Sequence, residues 1–478
     1  MTSNLKPPPD QVLVDIADYV CNFRSFSEPA ITSAGLCLTD TLAGALDALD
    51  FSACTRLLGP SVEGTIVPNG ARVPGTSYVL DPENAAFNLA CLIRWLDYND
   101  TFNAATGSHP SDNLAGILML ADYLSRQRIS SGQQPLTIRD VLENLIKAYE
   151  IQGCLAIENG FGETAAMDHN ILPRVASSAV LTGMLGGTHE QIVNAISNAF
   201  IDSSLSAFRH APNTGARKSW SCAEAIFQAM RLARMAIKGE MGYPSVLTAE
   251  YYGFYDARFK GRPFTFQRPY GEYIIQHSNF KFVAAGMHGQ TAVECALRLH
   301  RDVRDRLDDI DRIEIRSHRA LMRIMNKSGP LYNPADRDHC VQYTVAVGLI
   351  QGALNARDYE DDFAADPRID RLRAKMTVVE DEGYTRSFFD PDKRTNATAI
   401  QIWLKDGSST SKVEIEYPAG HYKRRADFLP VLRKKLEASL ARRFSSARQD
   451  RVLRLCRDAS HLDRTPVNEF LDLLVVER

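Results

Sequence analysis

The sequence predicts a mainly α-helical protein, with a large all-helical part followed by a smaller α+β part. Three observations carry that expectation. Apolar residues recur at helical spacing through most of the first 250 residues, strict alternation appears only after about Pro269, and basic-apolar helical patterns return from Phe428 to the end. Because 478 residues exceed the roughly 100–200 of one ordinary domain, we divide the chain into 1–270, helical; 271–420, α+β; and 421–478, helices that return to the first part.

Taken in order, the helical signals begin at Ser111 and Asp112, which suit a helix start ahead of Leu114, Ile117, Leu118, Ala121 and Leu124. Thr137-Ile-Arg-Asp140 reads as a capping box, followed by Val141, Leu142, Leu145, Ile146 and Tyr149. Thr188 and Gln191 make a similar start before Ile192, Ala195, Ile196 and Ala199. In the second part, Ile313 and Ile315 alternate with charged residues, as a half-buried strand requires. Ile400, Ile402 and Leu404 alternate too, Asp406-Gly407 supplies a turn, and Val413, Ile415 and Tyr417 resume the pattern, which predicts a β-hairpin. Val341–Leu354 and Ile369–Met376 read as helices between these strands.

Composition excludes several classes. Lys plus Arg number 55 against 58 Asp plus Glu, a formal net charge of −3, which argues against a chain that binds nucleic acid along its length. No apolar run reaches the roughly 18 residues of a membrane span. The start, Met1 to Pro9, resembles neither a secretory signal nor an Arg-rich transit peptide, so a soluble cytoplasmic protein is expected, or a mitochondrial one should a presequence be missing. Nine cysteines stand singly with no C-x-x-C, which suits neither a disulfide framework nor an iron–sulfur cluster. There is no P-loop, nucleophile elbow or H-E-x-x-H motif, and Gly183-Met-Leu-Gly186-Gly187 lacks the preceding strand of a dinucleotide site. No cofactor and no metal are expected.

Two polar clusters carry the chemistry. In Arg94-Trp-Leu-Asp97-Tyr-Asn99-Asp100-Thr101 and His109-Pro-Ser111-Asp112-Asn113, carboxylates, amides, hydroxyls and an imidazole fall close together. An imidazole titrates nearest neutrality and suits proton transfer; the same groups could equally cap helix ends. In Arg209-His210-Ala-Pro-Asn213-Thr214-Gly-Ala-Arg217-Lys218-Ser219-Trp220, cations lead into a helix, an arrangement suited to carboxylate or phosphate, or to a solvated basic turn. Asp168-His169, Gln267-Arg268, His288-Gly289-Gln290 and Asn333–Cys340 are further polar islands.

Together these segments resemble the MmgE/PrpD family, in its 2-methylcitrate dehydratase branch, over nearly the whole chain. The resemblance rests on Ile16-Ala-Asp-Tyr-Val-Cys21, Ile93-Arg-Trp-Leu-Asp-Tyr-Asn-Asp-Thr101, His109-Pro-Ser-Asp-Asn113, Arg209-His-Ala-Pro-Asn-Thr-Gly215, Gly239-Glu-Met-Gly-Tyr-Pro244, Phe266-Gln-Arg-Pro-Tyr270 and Asn333-Pro-Ala-Asp-Arg-Asp-His339. It implies that the α+β part is a lid, that the chain forms a homodimer, and that a tricarboxylate is dehydrated in the cleft without a cofactor. It also implies Asp97, Thr101, His109, His169 and Lys218 as catalytic residues, with Arg209, His210, Arg217, Arg268 and His288 binding substrate. Two departures stand out. Ala105-Thr-Gly-Ser108 replaces the branch's Ala-Glu-Trp-Gly, and Ala284-Ala-Gly-Met-His288 replaces Phe-Pro-Ala-Glu-Phe-His. Both exchange large or acidic residues for smaller or neutral ones, which implies a roomier pocket and a longer 2-alkyl group, as in fungal maleidride-type alkylcitrate dehydratases. Alternatives are neutral drift in an ordinary 2-methylcitrate dehydratase, a cis-aconitate decarboxylase, and a non-catalytic scaffold subunit.

Overall fold

A computed structural model describes residues 4–202, 205–210 and 213–476, the side chain of His210 excepted. The protein is mainly helical. Both capping boxes form: Thr137 opens the helix Ile138–Glu158, and Thr188 opens His189–Ile201. The third expected cap does not. Pro110–Asn113 is a 3-10 turn, the helix begins at Leu114 without a side-chain cap, and Ser111 and Asp112 turn inward instead.

Three helices set up the site: α1 (Pro82–Trp95), α2 (Leu114–Ser130) and α3 (Arg217–Ile237). α1 packs on both α2 and α3. The small residues Ala85, Ala86, Ala90, Ala223 and Ala229, all buried, allow that close approach. These helices belong to one hydrophobic core that runs from Leu13 to Phe280 and resumes with Phe428, Leu432, Leu436 and Leu440 near the C-terminus.

A second core lies between Val283 and Ile415. Its sheet has four strands: β1 (Ile310–Ser317), β2 (Met376–Glu380), β3 (Thr398–Leu404) and β4 (Val413–Ile415), in the order β2-β1-β3-β4. The predicted hairpin is β3–β4, antiparallel with Ile400 opposite Val413, and Gly407 at φ +86° makes the turn as only a residue without Cβ does easily. Ile313 and Ile315 lie in β1 and point into the core. The predicted helix over Ile369–Met376 is corrected: helix ends at Arg373, and Met376 begins β2, which pairs parallel with β1. β2 is a half-buried edge strand, so its sequence lacks the strong alternation that marks the others. Around the sheet pack α4 (Gln290–Val303), α5 (Arg319–Met325), α6 (Val341–Gln351) and α7 (Glu382–Phe389). The chain crosses between the two cores beside Phe280 and Gly420. Phe280 N–H donates to Gly420 O at 2.8 Å, and a Cβ on Gly420 would sit 2.0 Å from Phe280 O. None of the described helices is long and apolar enough to cross a membrane.

Candidate active site

The floor of the site forms where α1 ends. Arg94, in the last turn of α1, is buried and donates to Asp97 Oδ1 at 2.7 Å and Asn99 Oδ1 at 2.8 Å, with its Nε 3.6 Å from Asp112. Asn99 in turn donates to Ser111 Oγ (2.8 Å) and Asp112 Oδ1 (2.9 Å), which is why those residues turn inward. Asp97 itself has φ +48°, a left-handed conformation that Asp tolerates better than most side chains. Two backbone hydrogen bonds join Thr101 to Asn279 and bring Lys281 under the same carboxylate. Lys281 Nζ donates to Asp97 O at 2.6 Å and lies 3.1 Å from Oδ1. Burial pushes the Asp97 carboxyl up, but Lys281, Arg94, Lys218 and His109 together outweigh it and hold it well below the usual range. Burial also lowers Lys281, to about 8, against the pull of Asp97.

Two imidazoles face Asp97. His109 Nδ1 lies 2.7 Å from Asp100 O, and because a carbonyl only accepts, Nδ1 carries the hydrogen. Nε2 is then the bare nitrogen, 3.6 Å from Asp97 Oδ1. Burial first, then Arg94 and Lys281, keep this ring neutral far below the usual imidazole range. His339 donates from Nδ1 to Asp338 at 2.5 Å and points Nε2 toward Asp97 Oδ2 at 3.8 Å. Lys218, at the start of α3, bridges the two cores through Asp338 Oδ2 at 2.6 Å. Burial pushes the Asp338 carboxyl up, but Lys218 and His339 hold it below the ordinary value.

The His169 ring lies 5.5 Å from His109, with no partner on Nδ1 among the described residues. Burial lowers it to about 3. Its neighbour Asp168 is ion-paired with Arg209. His288, also without a partner on Nδ1, is lowered by burial to about 4.

A cavity of about 310 Å³ gathers Asp97, Thr101, His109, His169, Arg209, Lys218 and His288, and adds His339. A wider depression of about 640 Å³ shares Arg209, Thr214, Arg323 and Ile324 with it and extends it outward. Two expected substrate contacts are corrected. Arg217 is exposed and stacks on Trp220 at 4.4 Å, and Arg268 lies 3.4 Å above the Tyr273 ring; neither lines the cavity. The His210 side chain lies outside the described residues. Of the substituted stretches, Ala105, Thr106 and Gly107 line the cavity, as do Met287 and His288. Ala284 and Ala285 are buried and do not, and a Cβ on Gly286 would meet Met325 rather than the cleft. Among the described residues no group of three or more His, Cys, Asp or Glu side chains is placed to hold a metal ion.

Lys281 was not anticipated. Its one signal is a lone charge in the apolar run Asn279-Phe-Lys-Phe-Val283. His339 stood in a segment noted as polar but received no role.

The chain is similar to known proteins along nearly its whole length. The MmgE/PrpD N-terminal domain model matches residues 14–267 and the MmgE/PrpD C-terminal domain model residues 283–459. The 2-methylcitrate dehydratase of Cupriavidus necator is 53% identical over 98% of both chains, and that of Salmonella typhimurium is 52% identical over 99% of both. The mitochondrial 2-methylcitrate dehydratase of Yarrowia lipolytica is 47% identical over 99% of this chain and 92% of its own. With such likeness along its length, the chain belongs to the MmgE/PrpD family, in its 2-methylcitrate dehydratase branch, and is a hydro-lyase.

Proposed function

We propose that the protein dehydrates a 2-alkylcitrate, either 2-methylcitrate or a longer-chain analogue, to the corresponding alkyl-cis-aconitate. The observation that carries this reading is the bare Nε2 of His109, held in one cavity with His169, Lys218 and Arg209. The hydrogen to be removed lies beside a carboxylate, so it is weakly acidic, and cations around that carboxylate lower the cost of the charge that develops. His109 Nε2 takes this proton. The electron pair forms the new double bond, the neighbouring C–O bond breaks, and the departing hydroxyl receives a proton from His169 and leaves as water. No electrons are gained or lost overall.

Charge balance supplies the acid. Arg94, Lys218, Lys281 and Arg209 face Asp97, Asp112, Asp168 and Asp338, so these charges nearly cancel, and burial keeps the imidazoles neutral. A tricarboxylate adds negative charge beside those rings and raises their proton affinity. The substrate thereby charges the acid that its own elimination requires.

The longer-chain reading is supported by Thr106 and Gly107 on the cavity wall, where the branch pattern has Glu and Trp. The two hydrophobic cores support a division into a helical domain and an α+β domain that closes over the cleft. By analogy with the family we also propose a homodimer.

Formation of the conjugated alkene from 2-methylcitrate tests the reaction. The wild-type enzyme turns this acid over, and His109→Gln lowers kcat by about 10²–10⁴-fold, the usual worth of a positioned proton acceptor. A variant that keeps wild-type kcat removes His109 from the mechanism, and itaconate formed from cis-aconitate would assign decarboxylation instead.

A further inference from the structure

We propose that Phe388 and Phe389, at the C-terminal end of α7, form the surface that reads the length of the substrate's 2-alkyl group. This rests on the dehydratase reading and names the specificity determinant of that same site.

The cavity has two chemically different walls. The buried ionised and imidazole groups converge around Asp97, whereas Phe388 and Phe389 from α7 and Ala320 and Ile324 from α5 supply apolar surface from the second core, beside the largely exposed Arg319 and Arg323 of the same helix. Carboxylates of a 2-alkylcitrate gain hydrogen bonds at the first wall, and an alkyl group loses contact with water only at the second. Each CH₂ withdrawn from water there contributes about 0.8 kcal/mol.

The two phenylalanines differ in how they are held. Phe388 is buried and stacks on His318 with centroids 4.2 Å apart and ring planes 8° from parallel. His318 is anchored in turn, with Nε2 2.9 Å from Asn396 Oδ1, and Asn396 donates to Met287 O at 2.8 Å beside the cavity. This ring is a fixed stop. Phe389 packs edge-on against it with centroids 5.0 Å apart, yet remains 57% exposed at the rim. A large apolar side chain left in water at the edge of a charged cavity offers a continuing track. A methyl group ends before it, and a longer chain lies along it. The apolar wall is therefore open at its outer end, and this geometry sets no upper limit at methyl.

The experiment compares kcat/KM for 2-hexylcitrate with kcat/KM for 2-methylcitrate in wild type, Phe389→Ala and Ile324→Ala. We expect wild type to accept both acids and the hexyl-to-methyl ratio to fall about tenfold in Phe389→Ala, the scale on which a hydrophobic pocket discriminates one or two methylenes. Ile324→Ala should move the ratio in the same direction. A ratio equal to wild type in both variants overturns the inference, as does a wild-type enzyme that dehydrates 2-methylcitrate and ignores the hexyl acid. A wild-type enzyme inert toward both acids fails the dehydratase reading itself, which is a different result.

Discussion

The helical and sheet-bearing parts both bring charged side chains to the cavity, but they bury them very differently. On the helical side Arg94 and Asp97 are 1% and 3% exposed, and each is locked to more than one partner. On the sheet side Arg319 and Arg323, one turn apart on α5, are 65% and 63% exposed and reach surface carboxylates, Glu380 and Glu163. The same chemical pair therefore does two jobs. Dry and over-determined, it fixes an ionisation state; wet and loosely held, it exchanges partners with solvent. Burial, more than residue type, separates the catalytic floor from its approach.

The sharpest way to break this contrast is to remove one inner charge. Asp97→Asn preserves volume but leaves Lys281 without its carboxylate in a dry site, and disrupting such a pair costs about 3–5 kcal/mol. Thermal unfolding should show a fall in Tm of several degrees together with loss of turnover, and an unshifted Tm would mean the floor is wetter than its geometry implies. A subtler test concerns protons. Burial lowers Lys281 to about 8, so it loses its charge as pH rises through that value, and the alkaline limb of kcat/KM should fall there. Lys281→Arg keeps the charge, and its limb should move to higher pH; a limb still near 8 assigns the titration to another group. On the acid side His109 is already neutral, so kcat/KM should hold steady through the ordinary imidazole range. The smallest effect belongs to the outer pair. Glu163→Gln should change stability by no more than about 1 kcal/mol and act on KM alone, in a manner that added salt erases. A large loss of kcat would place Arg323 inside the chemistry.

Helices of the first part were legible because their boundaries carry local signals. Thr137 with Asp140 and Thr188 with Gln191 close capping boxes within four residues, so no distant contact is needed to read them. The hairpin across Gly407 was legible for the same reason. β2 was not, since a half-buried strand pairing in parallel owes its existence to a partner some sixty residues earlier. The site divides along the same line. Asp97, Thr101 and His109 fall in one short stretch and were found together, whereas Lys281 and His339 reach Asp97 only through tertiary folding. Arg217 and Arg268 show the converse: both stand near polar motifs in the sequence, yet each rests on an aromatic ring away from the cavity lining.

The junction at Phe280 and Gly420 has an architectural consequence. The chain departs for the sheet and comes back from it at adjacent, hydrogen-bonded positions. Everything between them is thus an insertion whose ends meet, the kind of arrangement that tolerates exchange of the inserted unit because the host is left continuous. His109, the proposed proton acceptor, is carried by the host, while the phenylalanine wall is carried by the insert. An alternative insert grafted at this neck would therefore reshape what the enzyme accepts while keeping the proton acceptor in its original setting.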